Sequence, residues 1–521
     1  MYKKKFQIKY IFFILIFIWI LNFFCSFYKI PPNVDDAWYF IQSFFFSHTN
    51  ELAYKDSSIS SYYDFSKFPV FPFIQGIFFK IILFLKIPIN FYTYRLFTLI
   101  VFIFLIYSCF KLLETFFKKK EDSLIYKILF LAIIPLTPLS LNFMIVRPEL
   151  LGLSFLILGI LNYKRNLMIS GFFISLSVFT HPMFFLINFF IIFFFTFYNF
   201  KIKNSIRFCL GLFIPFITVS IYYAYHLPHS IEHLMINSSG FPYFGYFFSY
   251  IKGIFTGENI FMNLINSYYH IPYFIIFLYL SFFYLEKVLK KKKFDYFEKI
   301  HSILIFSIFI TFFLERSTYY NHSVFSILIL LIFFYKFISF KINLKKIIIH
   351  RIKFFFFFSF LSIFSWNIFH TLKFFYFKNQ YLYNPNFMNF KNTNLKNKQI
   401  VITRSEFIPY FIDELNLNFD SNFNKSNIDW FFPNASRAIT LNEVNISKNI
   451  IKEKYLNKNT NSYWIIAKKN ILNINDQDIC IRIDLISPEN IDLLINNYSI
   501  NYETKKYIVL NSKEISLECE I

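Results

Sequence analysis

Glycine is almost absent, with 9 residues in a chain of 521. No G-x-G-x-x-G and no P-loop follows any strand-like run, which removes the usual nucleotide fingerprints. Cysteine is sparser still, at 5 residues, with no C-x-x-C and no zinc spacing. Cys25, Cys109 and Cys209 lie in or beside apolar runs, and only Cys480 and Cys519 lie in polar sequence. Charge is also thin. Charged residues make up 16% of the chain, where a soluble protein carries about a quarter. Acids are the scarcer sign, 31 against 53 Lys and Arg, for a formal net charge of +22. That excess invites a nucleic-acid reading, but the basic residues flank apolar runs and build no basic-aromatic binding face. Nucleic acid is excluded as the partner on that ground.

The composition is instead apolar: 56% hydrophobic and 24% aromatic, with 83 Phe and a mean hydropathy of +0.46. Runs of helical length fall at 9–28, 91–113, 124–141, 147–162, 167–180, 183–198, 206–226, 270–286, 299–314, 322–340 and 353–371. By length they predict about eleven transmembrane helices. The runs 167–180 and 183–198 are short enough to form one broken helix instead. A further run, 68–85, is interrupted by Pro69, Pro72, Gln75 and Lys80, and reads as an interfacial or re-entrant helix. The first run follows Lys3, Lys4 and Lys5. It exceeds a signal-peptide core and no A-x-A-like site follows it, so it reads as a retained first crossing.

Charge fixes the topology. With loops placed alternately on two sides, the Lys-rich segments at 3–5, 118–120, 164–165, 201–207, 290–293 and 341–351 share one side. Asp35-Asp36, Arg147-Pro148-Glu149, His181-Pro182, the 227–269 loop, Glu315-Arg316 and everything after about 372 take the other. Counting 68–85 as a crossing would move 118–120 across and break the pattern. The positive-inside rule then predicts a cytoplasmic N-terminus and an external C-terminus. Residues 1–371 form the membrane module, with a first outer loop, 29–90, that carries interfacial helices. Residues 372–521 form an extracytoplasmic domain rich in Asn, Lys, Asp and Ser. Its strand-like runs at 399–403, 463–467, 479–486 and 507–510 alternate with helix-like runs at 405–415 and 488–497. The fold class expected is an α-helical polytopic membrane protein with a small C-terminal α/β domain.

Polar residues that are costly beside a bilayer gather on the outer side: Asp35, Asp36, Asp64, Lys67, Arg95, Arg147, Glu149, His181 and Arg316. Plainer readings exist for each. Arg95 and Arg147 can snorkel to headgroups, His181 can bond a helix-end carbonyl, and Glu315-Arg316 can be a local ion pair. Asp35 and Asp36 can be a solvated turn after Pro31-Pro32. That reading is the weakest of these, because the amphipathic stretch 37–46 would hold both acids at the interface, where a carboxylate is expensive without a use.

The order of these motifs carries a resemblance. A first helix is followed by Asp35-Asp36-Ala37-Trp38-Tyr39, then by Lys67-Phe68-Pro69 ahead of an interfacial helix, then by the Arg-led crossing Tyr94-Arg95-Leu96-Phe97. Arg147-Pro148-Glu149-Leu150-Leu151-Gly152-Leu153 and Thr180-His181-Pro182 continue it. The arrangement resembles the GT-C glycosyltransferases that use polyprenyl-phosphate sugars, among them protein O-mannosyltransferases and lipid A aminoarabinose transferases. It covers roughly residues 8–200. It departs from the family where the first acid is followed by Asp36 instead of Glu, and where Lys67-Phe68-Pro69 replaces a Lys-Pro-Pro-like run.

The resemblance implies a GT-C-like membrane enzyme of a bacterial inner membrane. Its partners would be a polyprenyl-phosphate-linked sugar, a hydroxyl acceptor and the lipid bilayer. Asp35 would be the general base that takes the acceptor proton, with Asp36 supporting it. Arg147, Lys67 and Arg95 would stabilise the leaving phosphate, and Glu149, His181 and Arg316 are further candidates. Attack opposite the phosphate inverts the anomeric centre. No cofactor is required, and a divalent metal shared by the acids is compatible but not demanded.

Two other classes fit parts of the pattern. A lipid or polysaccharide flippase would share the apolar helices, but transporters place charges at midplane and show internal repeats. A polysaccharide ligase or polymerase would carry its large outer loop between late helices. The topology can be checked by labelling Ser421→Cys in whole cells, in a background with Cys480 and Cys519 replaced by Ser. A membrane-impermeant maleimide should react without permeabilisation; reaction only after lysis reverses the orientation.

Overall fold

The computed structural model describes residues 34–52, 68–89, 91–116, 147–181, 183–197, 202–227, 271–314 and 319–340, together with short pieces at 54–55 and 63–64, a few positions in 123–131, residue 256, and strand segments between 399 and 512. The crossings expected at 9–28 and 353–371, most of 124–141, the strand at 479–486 and the helices at 405–415 and 488–497 lie outside the described residues.

The described apolar runs form helices close to the expected bounds, and the amphipathic stretch expected at 37–46 is longer than expected, a helix that takes in Asp35 and Asp36 instead of leaving them in the preceding loop. In chain order the helices are α1 (Val34–Thr49), α2 (Val70–Phe84), α3 (Phe91–Thr115), α4 (Glu149–Asn162) and α5 (Leu167–Val178). They continue as α6 (Phe184–Phe197), α7 (Ile202–Tyr225), α8 (Ile271–Leu289), α9 (Tyr296–Leu314) and α10 (Tyr319–Phe340). Among the described residues two stretches, Thr93–Thr115 of α3 and the whole of α7, are long and apolar enough to cross a bilayer. Several helices also expose apolar side chains, such as Phe185, Phe189, Phe193 and Phe197 on α6 and Leu210, Phe213, Ile217 and Ile221 on α7. Stripes of this size on a water-facing surface are aggregation liabilities.

The short runs 167–180 and 183–198 are not one broken helix. They form a helical hairpin, α5–α6, in which Asn188 Nδ2 donates to Ser177 Oγ across the pair (3.1 Å). Asn166 starts it as a side-chain cap, accepting from the N–H groups of Met168 and Ile169.

Helix α2 packs beside α1 in parallel. Tyr39 meets Phe71 edge-on, with ring centroids 5.4 Å apart, and Ser43 Oγ donates to Gln75 Oε1 (2.7 Å). Further along, Asn50 pairs with Lys80. The start of α2 therefore lies beside the early turns of α1. From α2, the Phe71–Phe97 ring contact (5.6 Å) joins the pair to α3.

The helix ends sort into two groups. At one end Phe116, just past α3, packs on Phe297, His301 and Tyr335, and Tyr163 stacks near Tyr296. Lys164 lies over the Tyr296 ring (4.0 Å). Glu298 receives Lys336 (2.8 Å) and Lys287, and forms a reciprocal capping box with Asp295. These are the ends that border the Lys-rich segments. At the opposite ends of the same helices lie Arg147, His181 and the start of α2.

Beyond the helices, β1 (Tyr54–Lys55) and β2 (Tyr63–Asp64) pair antiparallel. A five-stranded mixed sheet has the order β4-β3-β5-β7-β6. Its members are β3 (Gln399–Ile402), β4 (Ile428–Trp430), β5 (Ser462–Ala467), β6 (Tyr498–Glu503) and β7 (Tyr507–Ser512). β3 runs parallel to β4 and β5, and β7 runs antiparallel to β5 and β6. The strands β4 and β6 were not expected from the sequence, because neither has a clear alternation.

The rare glycines explain the tightest helix contact. A Cβ on Gly211 would lie 2.0 Å from the Met168 carbonyl oxygen, and one on Gly171 would lie 2.2 Å from that of Phe208. Helices α5 and α7 thus meet backbone to backbone, a contact that only small residues allow. Gly211→Ala should lower the thermal unfolding midpoint in detergent by several degrees, since overpacking against backbone costs about 1–3 kcal/mol. An unchanged midpoint would remove this contact from the fold's determinants.

His48 supplies a pH-dependent element. Burial lowers its pKa, and the hydrogen bond from Nδ1 to the Phe44 carbonyl only partly opposes that. The neutral ring is favoured in the fold, so the unfolded chain binds the extra proton. The contribution is complete above the ordinary histidine value of about 6.5 and is lost as pH falls through it. Wild type should lose more thermal stability between pH 7.5 and 5.5 than His48→Gln; parallel curves would discard this assignment.

Candidate functional site

The residues Arg147, Glu149 and His181 come together. Pro148 stands at the cap position of α4 with helical backbone angles, which places Glu149 in the first turn, where the helix dipole favours an acid. The Glu149 side chain is almost wholly excluded from solvent. Arg147 reaches back over it: Nε donates to Oε1 and Oε2 (3.0 and 3.1 Å), and Nη2 donates to Oε1 (2.5 Å). His181, in the turn between α5 and α6, sets Nε2 3.6 Å from the same Oε1. Its Nδ1 accepts the backbone N–H of Met183 (3.4 Å), so the ring proton of the neutral form sits on Nε2, facing the carboxylate.

Packing between α4 and the hairpin brings the two segments together. Ser170 Oγ donates to the Gly159 carbonyl (2.7 Å). At the other end, Gly152 admits the Phe184 ring so closely that a Cβ would stand 2.3 Å from it. The start of α2 arrives at the same place, because the Val70 N–H donates to the Phe179 carbonyl (3.4 Å), two residues before His181. A continuous path therefore runs from α1 through Tyr39 and Phe71 to Val70, Phe179, His181, Glu149 and Arg147.

The other expected residues fall as follows. Asp35 and Asp36 are the second and third residues of α1. Arg95 is buried on α3 at 2% exposure, with its Cζ 5.5 Å from the Tyr94 ring. Lys67 and Arg316 lie outside the described residues. Sequence reasoning missed Gln42, which is wholly buried and whose amide atoms have no hydrogen-bond partner among the described residues. It noted Gln75 only as an interruption, yet Gln75 is equally buried and anchors Ser43. The available signal was Gln42's position, two turns along α1 from Asp35 on the same face. Among the described residues no group of three His, Cys, Asp or Glu is placed to hold a metal ion.

No protein-family model matches this sequence, and no characterised protein matches it either. The structure is similar to the Archaeoglobus fulgidus oligosaccharyltransferase in its complex with Zn and sulfate. That match has 12% identity and a TM-score of 0.50, and spans 96% of this chain and 73% of that one. The apo form of the same protein matches with 11% identity and a TM-score of 0.49, over 97% and 75% of the two chains. At such identity the likeness is one of fold alone.

Proposed function

We propose that the chain is a multi-pass membrane glycosyltransferase of the GT-C type. It would move a sugar from a polyprenyl-phosphate donor to a hydroxyl acceptor at the outer face, with inversion. The observation that carries this reading is the path joining the acid-bearing end of α1 to the Arg147–Glu149–His181 group through the start of α2. Base and leaving-group stabiliser must flank one anomeric carbon, so the first acids and the cationic group have to share one end of the scaffold. The GT-C-like scaffold supports the reading, as do the apolar stripes of α6 and α7 and the gathering of the Lys-bordered helix ends at the opposite end.

Asp35 would take the acceptor hydroxyl's proton as the new glycosidic bond forms and the bond to the donor phosphate breaks. Asp36 would hold it in place. Arg147 would meet the charge left on the phosphate. Lys67 would be a second cation for the phosphate, with Arg95 on α3 in support. The oligosaccharyltransferase was solved with Zn; here an acid pair could share a divalent ion, and no step above depends on one. In this proposal residues 1–371 form the catalytic module with about eleven crossings. Residues 372–521 form an external α/β domain built on the five-stranded sheet, and the membrane is a bacterial inner membrane.

The test is sugar transfer from a polyprenyl-phosphate donor by the purified full chain. Asp35→Asn should reduce turnover by about two to four orders of magnitude, and Asp36→Asn by less. Unimpaired Asp35→Asn excludes it as the base, and indifference of both variants favours a transporter.

A further inference from the structure

We propose that the Lys-bordered end of the scaffold is a seat for phospholipids whose headgroups carry net negative charge. This rests on the membrane reading above and is independent of the reaction. The geometry points to it because three basic segments, far apart in sequence, converge around one side chain, and each runs directly into exposed apolar residues.

Tyr163, just before Lys164, is that side chain. Its hydroxyl donates to the Phe195 carbonyl near the end of α6 (2.7 Å), and its ring stacks on the Phe195 ring (centroids 3.9 Å apart). The same ring meets Phe208 of α7 (6.1 Å) and Tyr296 at the start of α9 (6.1 Å). The α4–α5 turn, which carries Lys164 and Arg165, is thereby held at the first turns of α7, which carry Lys203 and Arg207, and at the start of α9, which follows Lys290 to Lys293. Lys164 Nζ lies over both the Tyr296 and Phe297 rings (4.0 and 5.5 Å). The α8–α9 turn is closed by its own backbone. The Lys291 N–H bonds the Val288 carbonyl (2.9 Å) and the Lys292 N–H that of Lys287 (3.0 Å), with Lys291 at a φ of 50°, a Schellman closure.

The cations on these three segments are exposed, and few acids answer them. Glu286 pairs with Lys290 (2.5 Å). Asp295 accepts from the Tyr335 hydroxyl and caps α9. Arg165, Lys203, Arg207, Lys291 and Lys293 have no carboxylate partner among the described residues. Like charges gathered in this way repel one another, and a bound anion relieves that.

The apolar borders decide which anion. Ile202 and Ile206, both exposed, alternate with Lys203 and Arg207 at the start of α7; Met168 and Ile169 follow Arg165, and Val288 and Leu289 precede Lys290. A free anion has no use for such borders. A lipid does, since its acyl chains cover the apolar side chains while its phosphate meets the cations, Arg through a fork. A zwitterionic headgroup brings its own ammonium and offers this face no net charge. Orientation during insertion requires only that the basic residues lie on one side; it does not require the segments to converge.

The experiment uses the full chain purified in dodecyl maltoside, with dioctanoyl phosphatidylglycerol as probe and dioctanoyl phosphatidylcholine as the zwitterionic control. Binding and thermal midpoint are measured on the same samples. Wild type should bind the anionic lipid about thirtyfold more tightly than the control, and the preference should shrink at high salt. Replacing Arg165, Arg207, Lys291 and Lys293 together by Gln should bring the two lipids within about threefold of each other. The midpoint without lipid should hold, because all four side chains are exposed. The pairs Arg165→Gln with Arg207→Gln and Lys291→Gln with Lys293→Gln, made separately, should each remove part of the preference. Arg165→Lys with Arg207→Lys should keep most of it.

Four results would overturn the proposal: equal binding of the two lipids by wild type, a preference unchanged in the fourfold variant, glycerol 3-phosphate binding as tightly as the anionic lipid, or a DNA duplex binding more tightly than it. The second pair of lipid-free ligands separates a free-anion site and a nucleic-acid surface from a lipid seat. Lipid preference intact in a chain without sugar transfer removes the glycosyltransferase reading alone. Transfer intact in a chain without lipid preference removes this proposal alone.

Discussion

A carboxylate taken wholly out of water has to be matched, and Glu149 is such a carboxylate. Leaving a buried charge of this kind unpaired costs about 3–5 kcal/mol, a large part of the stability of most domains. That constraint ties Arg147 to the start of α4 and draws the His181 turn against it. The α5–α6 hairpin then has only one way to lie, with Phe184 entering over Gly152 and Ser170 bonding the Gly159 carbonyl. Through the Phe179 carbonyl the same hairpin holds the first turn of α2.

The interior between these fixed points is filled largely by aromatic rings. Phe40 packs edge-on against Tyr94 and Phe79, and Phe71 joins Tyr39 to Phe97. Edge-to-face pairs of this sort each add about 0.5–1.5 kcal/mol beyond area burial. Bulky rings keep helices apart, and here the few glycines matter. Gly171 and Gly211 give α5 and α7 a direct backbone contact that no Phe-rich surface could provide. Helix separation in this scaffold is set by a small number of omitted side chains.

The opposite ends are organised by charge. Glu298 gathers Lys287 and Lys336 while capping α9 with Asp295, and its carboxyl is held low, at about 2. Burial alone would raise it, and the two lysines more than offset that. This clasp joins α8, α9 and α10 far from the Arg147 group. Among the described residues, α1 and α2 join the other helices through ring contacts such as Phe40–Tyr94 and Phe71–Phe97 and through the Val70–Phe179 backbone bond.

The helices from α3 onward were legible in the sequence, because each is a long apolar run, and length with hydropathy suffices to mark such runs; α1 was legible only in part, as an amphipathic stretch at 37–46. Strands at 399–402, 462–467 and 507–512 were legible for a similar reason, as compact β-branched and aromatic runs; β4 and β6 lacked that signal. The acid pair was visible because a carboxylate beside an apolar span is rare enough to be noticed. The sequence could not say that Glu149 is shared by an arginine two residues away and a histidine 32 residues on, nor that Gln42 is buried without a hydrogen-bond partner among the described residues. Local pattern records which face of a helix is apolar. Which faces meet is decided by the packing of whole helices, and only that packing brought the turn at His181 and the start of α2 to the head of α4.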